Sequence, residues 1–215
     1  MNNDPILPKE PEIEVPDTQT EQKKNGFVSS LFDVVEMFAW SVLAVLIVFS
    51  FAFRLCRVDG RSMENTLYDG QNLILYSFAY TPKQDDVIVF HLTDPEVNME
   101  KTLVKRVIAT EGQKVIIDFK AATITIDGKE YADEHAVLKN LSNQMINVYT
   151  LTAEHNYNPQ SGIFEATVPE GHVFVLGDNR NNSKDSRDTD ISFVDERCIL
   201  GKAILRVSPF TVFTD

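Results

Sequence analysis

Residues 37–53 run for 17 positions without a charge. As an α-helix this run is about 25 Å long, close to the lower limit for crossing the hydrocarbon core of a bilayer. Extending it back through residues 31–36 lengthens the helix and leaves Asp33 and Glu36 at its N-terminal end, in the headgroup region. A cleaved leader would need a basic region directly before the apolar core and small residues after it. Here the preceding stretch is long and acid-rich, and Arg54, Leu55, Cys56 and Arg57 follow, so the run reads as an uncleaved anchor. Whatever comes after it folds on a short tether from a membrane.

The segment before the anchor is of a different kind. Its first 25 residues hold four prolines, six acidic residues and no aromatic. Such a composition cannot bury enough apolar surface to offset its ordering entropy, which predicts a disordered acidic, Pro-rich tail over residues 1–30. Orientation is a close contest on local charge. Lys23 and Lys24 precede the span, whereas Arg54, Arg57 and Arg61 follow it, a count that weakly favours a cytoplasmic C-terminal side.

Past the anchor (residues 31–55) the pattern changes to short runs rich in Val and Ile. Residues 72–76, 86–90, 102–110, 114–119, 122–126, 172–176 and 199–207 read as strands, most of them bounded by turn formers. Asp127-Gly128 between 122–126 and Lys129-Glu130-Tyr131 is a hairpin signal. No long amphipathic helix is visible. The expectation is a mainly β domain over residues 56–215, built of antiparallel sheets or a partly closed barrel, with a small β insertion at about 111–172.

Several function classes are excluded early. The net charge of −12 offers no basic face to phosphates, so nucleic acid is not an expected partner. Cys56 and Cys198 are too few for a disulfide framework and lack metal-ligand spacing; whether they pair is open. The four histidines form no ligand pair, and the acidic run Asp178, Asp185, Asp188, Asp190 lacks the glycine and terminal glutamate of an EF-hand loop.

Three features could carry chemistry. Ser62 lies nine residues beyond Phe53, flanked by Gly60 and Met63, so a nucleophile there would act on chains lying at the membrane surface. In the strand 102–110, Leu103, Lys105, Val107 and Ala109 share one face, making Lys105 its only charge. Burial among apolar groups lowers an amine's pKa and equips it as a general base, whereas a surface lysine would merely cover apolar neighbours with its stem. The segment 177–187, Gly-Asp-Asn-Arg-Asn-Asn-Ser-Lys-Asp-Ser-Arg, packs hydroxyls, carboxylates and guanidiniums directly after a strand. Alone, it could be a polar loop held by Asx turns.

Taken in order, the three resemble the boxes of the bacterial type I signal peptidases of Ser/Lys type. Val58-Asp-Gly-Arg-Ser-Met-Glu-Asn-Thr-Leu67 looks like the nucleophile box, and Leu103-Val-Lys-Arg-Val107 like the lysine box. Gly177-Asp-Asn-Arg-x-x-Ser-x-Asp-Ser-Arg187 matches the third box at each specified position, and Ile199-Leu-Gly-Lys-Ala203 resembles the closing segment. The likeness spans roughly residues 30–210. Asn65 stands where the family usually has proline, and Gly60 and the short insertion resemble Gram-positive members with a single anchor.

The resemblance implies a serine endopeptidase that removes signal peptides from secreted preproteins. Ser62 would be the nucleophile and Lys105 the general base; Ser183 would orient the lysine, and Asp178, Asp185 and Arg187 would hold the loop as a charge network. The Ser62 N–H and the chain around Gly60 would supply oxyanion donors. It further implies substrates with small residues before the cleavage site, contact with the lipid bilayer, a cytoplasmic N-terminus and an extracytoplasmic catalytic domain, and no cofactor or metal. A self-cleaving Ser/Lys repressor would need a DNA-binding domain where this chain has an anchor. A membrane-tethered β domain that only binds partners would have no reason to combine Ser62, Lys105 and the 177–187 loop.

Overall fold

The computed structural model describes residues 19–94, 99–132, 134–136, 157–158 and 160–213. Residues 1–18 of the expected tail, and most of the polar region around 140–160, lie outside them. Contacts divide the chain into two units, Met1–Val48 and Phe49–Asp215. Helix α1 (Gln19–Ala52) supplies the described part of the first unit and the opening residues of the second, so helix begins inside the stretch expected to be tail. Its segment Val28–Ala52, 25 residues, is long and apolar enough to cross a bilayer. Phe38, Trp40, Leu46 and Phe49 are exposed, the arrangement of a helix whose apolar surface meets lipid.

The anchor reading extended to residue 55, but the helix ends at Ala52. Strand β1 (Phe53–Arg57) follows at once and pairs antiparallel with β2 (Asn72–Tyr76). The Phe53–Tyr76 pair, with ring centroids 5.8 Å apart, is the cross-strand aromatic contact that favours strand here. Ser77 N–H donates to the Ala52 carbonyl at 2.9 Å and satisfies the helix end.

The remaining strands are β3 (Val87–Asp94), β4 (Met99–Thr110), β5 (Lys114–Asp118), β6 (Thr123–Ile126), β7 (Lys129–Glu130), β8 (Ile163–Thr167), β9 (His172–Leu176), β10 (Val194–Asp195), β11 (Ile199–Arg206) and β12 (Thr211–Val212). The larger sheet runs β1-β2-β11-β3-β4-β9-β10, with β12 paired to β11; the smaller runs β7-β6-β5-β8. Every pairing is antiparallel, so the fold is mainly β. Among the described residues neither sheet closes into a barrel.

Alternation explains how the small sheet attaches. Val115 and Ile117 of β5, Ile124 and Ile126 of β6 and Phe164 of β8 are buried and pack with Ile108, Phe174 and Leu176 of the large sheet. A second cluster joins Met63 and Leu67 to Leu73, Leu75, Val87, Val89 and Val104, so the turn carrying Ser62 is plugged into the core by its own apolar residues.

One detail of β4 departs from the regular alternation. Its register against β9 shifts between Val107 and Ala109. Ala109 therefore packs with Ile108 in the cluster shared with the small sheet, while Val107 packs with Ile88, Phe90 and Val175. A bulge redirects the side chains beyond it, which period-two reading does not anticipate.

Candidate active site

Lys105 sits in the middle of β4, opposite Ile88 of β3, and is only 2 % exposed. Its Nζ donates to Ser62 Oγ at 2.7 Å and to the Val104 carbonyl at 3.0 Å. Desolvation by burial is the largest influence on the amine and lowers it from 10.5 to about 8; Asp185 and Asp178 pull the other way, and Arg187 adds to the lowering. An amine so placed loses its proton close to neutral pH. The same contact then reverses, with the Ser62 hydroxyl donating to a neutral nitrogen.

The turn bearing Ser62 is held from several directions. Leu67 N–H donates to Met63 O at 2.8 Å within the turn. From the 177–187 segment, Asn179 N–H donates to Ser62 O and its Nδ2 to Arg61 O, each at 3.0 Å. Thr66 Oγ1 donates to Asp178 Oδ2 at 2.5 Å, and Arg206 Nη1 donates to Thr66 O at 2.8 Å. Gly60, with φ +93°, sits where a side chain would be strained. Its N–H donates to Asp69 Oδ1 at 2.9 Å. That amide is therefore not an oxyanion donor, contrary to the expectation for the chain around Gly60. The Ser62 N–H has no acceptor among the described residues.

Behind the dyad lie two buried ion pairs. Arg106, next to Lys105, grips Asp178 through Nε at 2.9 Å and Nη2 at 2.7 Å, and its Nη1 donates to Asp85 O. Arg187 grips Asp185 through Nε at 2.8 Å and Nη2 at 2.9 Å, and Gly177 N–H donates to Asp185 Oδ2. Burial raises the Asp185 carboxyl, but Arg187 and the Gly177 amide outweigh it and hold it below the ordinary value. Two-point guanidinium–carboxylate contacts fix orientation as well as charge.

Ser62, Lys105, Asp178, Asp185 and Arg187 thus meet in one place. Ser183 is buried; its Oγ interacts with the Asp185 carboxylate and helps to lower it, but makes no hydrogen bond of ordinary geometry, and the expected bond to Lys105 is not formed. Gly177 stands at the closest approach of the two segments: a Cβ there would lie 2.1 Å from Ser183 Oγ and 2.5 Å from Ser62 O.

Comparison with known proteins shows the family. The family profile for signal peptidase, peptidase S26, matches residues 31–208. The chain belongs to this family. Signal peptidase IB of Staphylococcus aureus is 33% identical over 190 residues, covering 85% of this chain and 92% of the relative. Signal peptidase I of Bacillus licheniformis is 29% identical over 194 residues, covering 89% and 96%. A crystal structure of signal peptidase I from Enterococcus faecalis shares 28% identity, covers 57% of this chain and 97% of that one, and superposes with a TM-score of 0.39.

As an S26 signal peptidase, the chain is a membrane-anchored serine endopeptidase. Reading along the sequence missed four residues that the structure puts around the dyad: Thr66, Arg106, Asn179 and Arg206. Three fell inside quoted boxes and passed as box members without a role. Arg206 carried no signal beyond its strand.

Proposed function

We propose that Ser62 is the nucleophile and Lys105 the general base of a peptidase that cuts N-terminal signal peptides from preproteins. The observation that carries this reading is the 2.7 Å contact between a buried amine and the Ser62 hydroxyl. Neutral Lys105 takes the Ser62 proton as Oγ attacks the scissile carbonyl. The Ser62 N–H faces the developing oxyanion, an interaction commonly worth about 3–4 kcal/mol. As the tetrahedral species collapses, the Lys105 ammonium returns the proton to the leaving amine. Water then cleaves the ester, with Lys105 taking its proton and passing it to the departing Ser62 Oγ.

Substrate enters as an extended strand. β4 pairs with β9 only from Arg106 onward, so residues 99–105 have no strand neighbour on that side among the described residues. An unpaired edge ending at the base is a template for strand addition, and the substrate bound there would carry small side chains before the cut. In the cell, residues 1–30 would lie in the cytoplasm, the anchor would cross the bilayer once, and residues 56–215 would work outside, where signal peptides emerge.

The test is a detergent-solubilised preprotein assay. Wild-type protein should release the mature chain, and Ser62→Ala should abolish release while retaining the folded domain by circular dichroism. Normal cleavage by Ser62→Ala would end the assignment.

A further inference from the structure

We propose that Arg206, on β11 at the far end of the chain, is a positioning residue for Ser62; this rests on Ser62 being the nucleophile. The turn 61–67 has no proline to restrain φ, and Asn65 at its crest is exposed. Met63 and Leu67 seat the turn in the core, and groups outside it hold its two ends. Asn179 holds the Arg61 and Ser62 carbonyls, at the start of the turn. At its end, Asp178 takes the Thr66 hydroxyl and Arg206 the Thr66 carbonyl.

The guanidinium is itself immobilised. Besides Thr66 O, Nε donates to Pro209 O at 3.0 Å and Nη2 to Thr211 Oγ1 at 2.6 Å. Three donors of one rigid plane thus meet three acceptors, two of them in the β11–β12 hairpin, which itself pairs Arg206 with Thr211. None of the acceptors is a carboxylate, so the group is not there to neutralise a charge. Its contact with the turn is a backbone carbonyl four residues past Ser62, within a turn closed by the Met63–Leu67 hydrogen bond. Without it the end of the turn is held only by the Asp178–Thr66 contact and the seating of Met63 and Leu67, and the Ser62–Lys105 geometry loosens.

A serine-directed acylating probe on the full-length, detergent-solubilised protein tests this. The final fraction labelled counts folded sites, and the rate constant reports alignment. Arg206→Ala should label to the wild-type extent but about tenfold more slowly, since small misplacements of reacting groups cost rates of that order. In peptide cleavage kcat should fall by a similar factor with KM within about twofold, while the pH midpoint set by Lys105 stays in place. Arg206→Lys, which can reach the Thr66 carbonyl with one donor, should recover part of the rate. If Arg206→Ala does not accumulate folded, Arg206→Met, which keeps the packing stem, takes its place with the same expectation. A wild-type rate constant in the folded Ala or Met variant, with only the labelled fraction reduced, overturns the proposal. Ser62→Ala is run alongside: undiminished labelling of that variant would instead overturn the nucleophile assignment.

Discussion

At the scale of single residues, Lys105 concentrates both the chemistry and its cost. Its amine is lowered to about 8, so cleavage should rise as pH increases through that value and level off above it. A rate measured across pH 6 to 10 checks this; a profile flat through the region would remove Lys105 as the base. Lys105→Arg should be inactive at every pH in that range, because a guanidinium keeps its proton. The same burial destabilises the fold. Folded Lys105 titrates near 8 and the free side chain near 10.5, so below pH 8 both forms are protonated and the fold carries a penalty of about 3 kcal/mol. The penalty shrinks as pH rises from 8 to 10.5, where the unfolded chain loses its proton too. Lys105→Met, inactive but similar in shape, should therefore unfold at higher denaturant concentration than wild type at pH 7, with the advantage fading toward pH 10.5. Equal midpoints at both pH values would show that the amine is not desolvated.

At the scale of elements, the site exists because two segments touch at their backbones. Gly177 directly follows β9 and lies against the Ser62 carbonyl, with no room for a methyl group. Gly177→Ala must push the 177–187 segment away from the nucleophile turn, and overpacking of this kind costs about 1–3 kcal/mol. The expected outcome is a protein that still folds, with a lower melting temperature and kcat reduced at least about tenfold, since the Asn179 and Asp178 contacts are displaced together. Wild-type turnover in that variant would mean that the close approach is not needed for catalysis. Strand prediction succeeded where turn residues fence a short apolar run, as at β2 and β9. It failed at β1, where the anchor's apolar residues lead straight into the strand, and at β8, β10 and β12. Two of those are only two residues long, and such pieces are stabilised by the neighbour they pair with rather than by their own pattern.

At the scale of the whole molecule, a membrane-length helix precedes the β domain. With the proposed topology, protease added to spheroplasts should digest residues 56–215 and spare the first 30. Protection of the β domain and loss of the tail would mean that the arginines after the span govern orientation. The anchor and the β class were decided locally, by apolar length, period-two alternation and turn chemistry, which is why they could be read from the residues alone; the three boxes were legible only through their resemblance to a known family. The partners of those boxes could not be read from the residues. Asp178 meets Arg106 across 72 residues and Thr66 across 112, and Arg206 reaches Thr66 across 140. Separations of that size leave no periodic trace, because such contacts are set by strand order and register. The same holds for the state of Lys105. Its sequence neighbours suggested an apolar setting, but only packing of β4 within the sheet and the approach of the Ser62 turn remove the amine from water and put it against a hydroxyl.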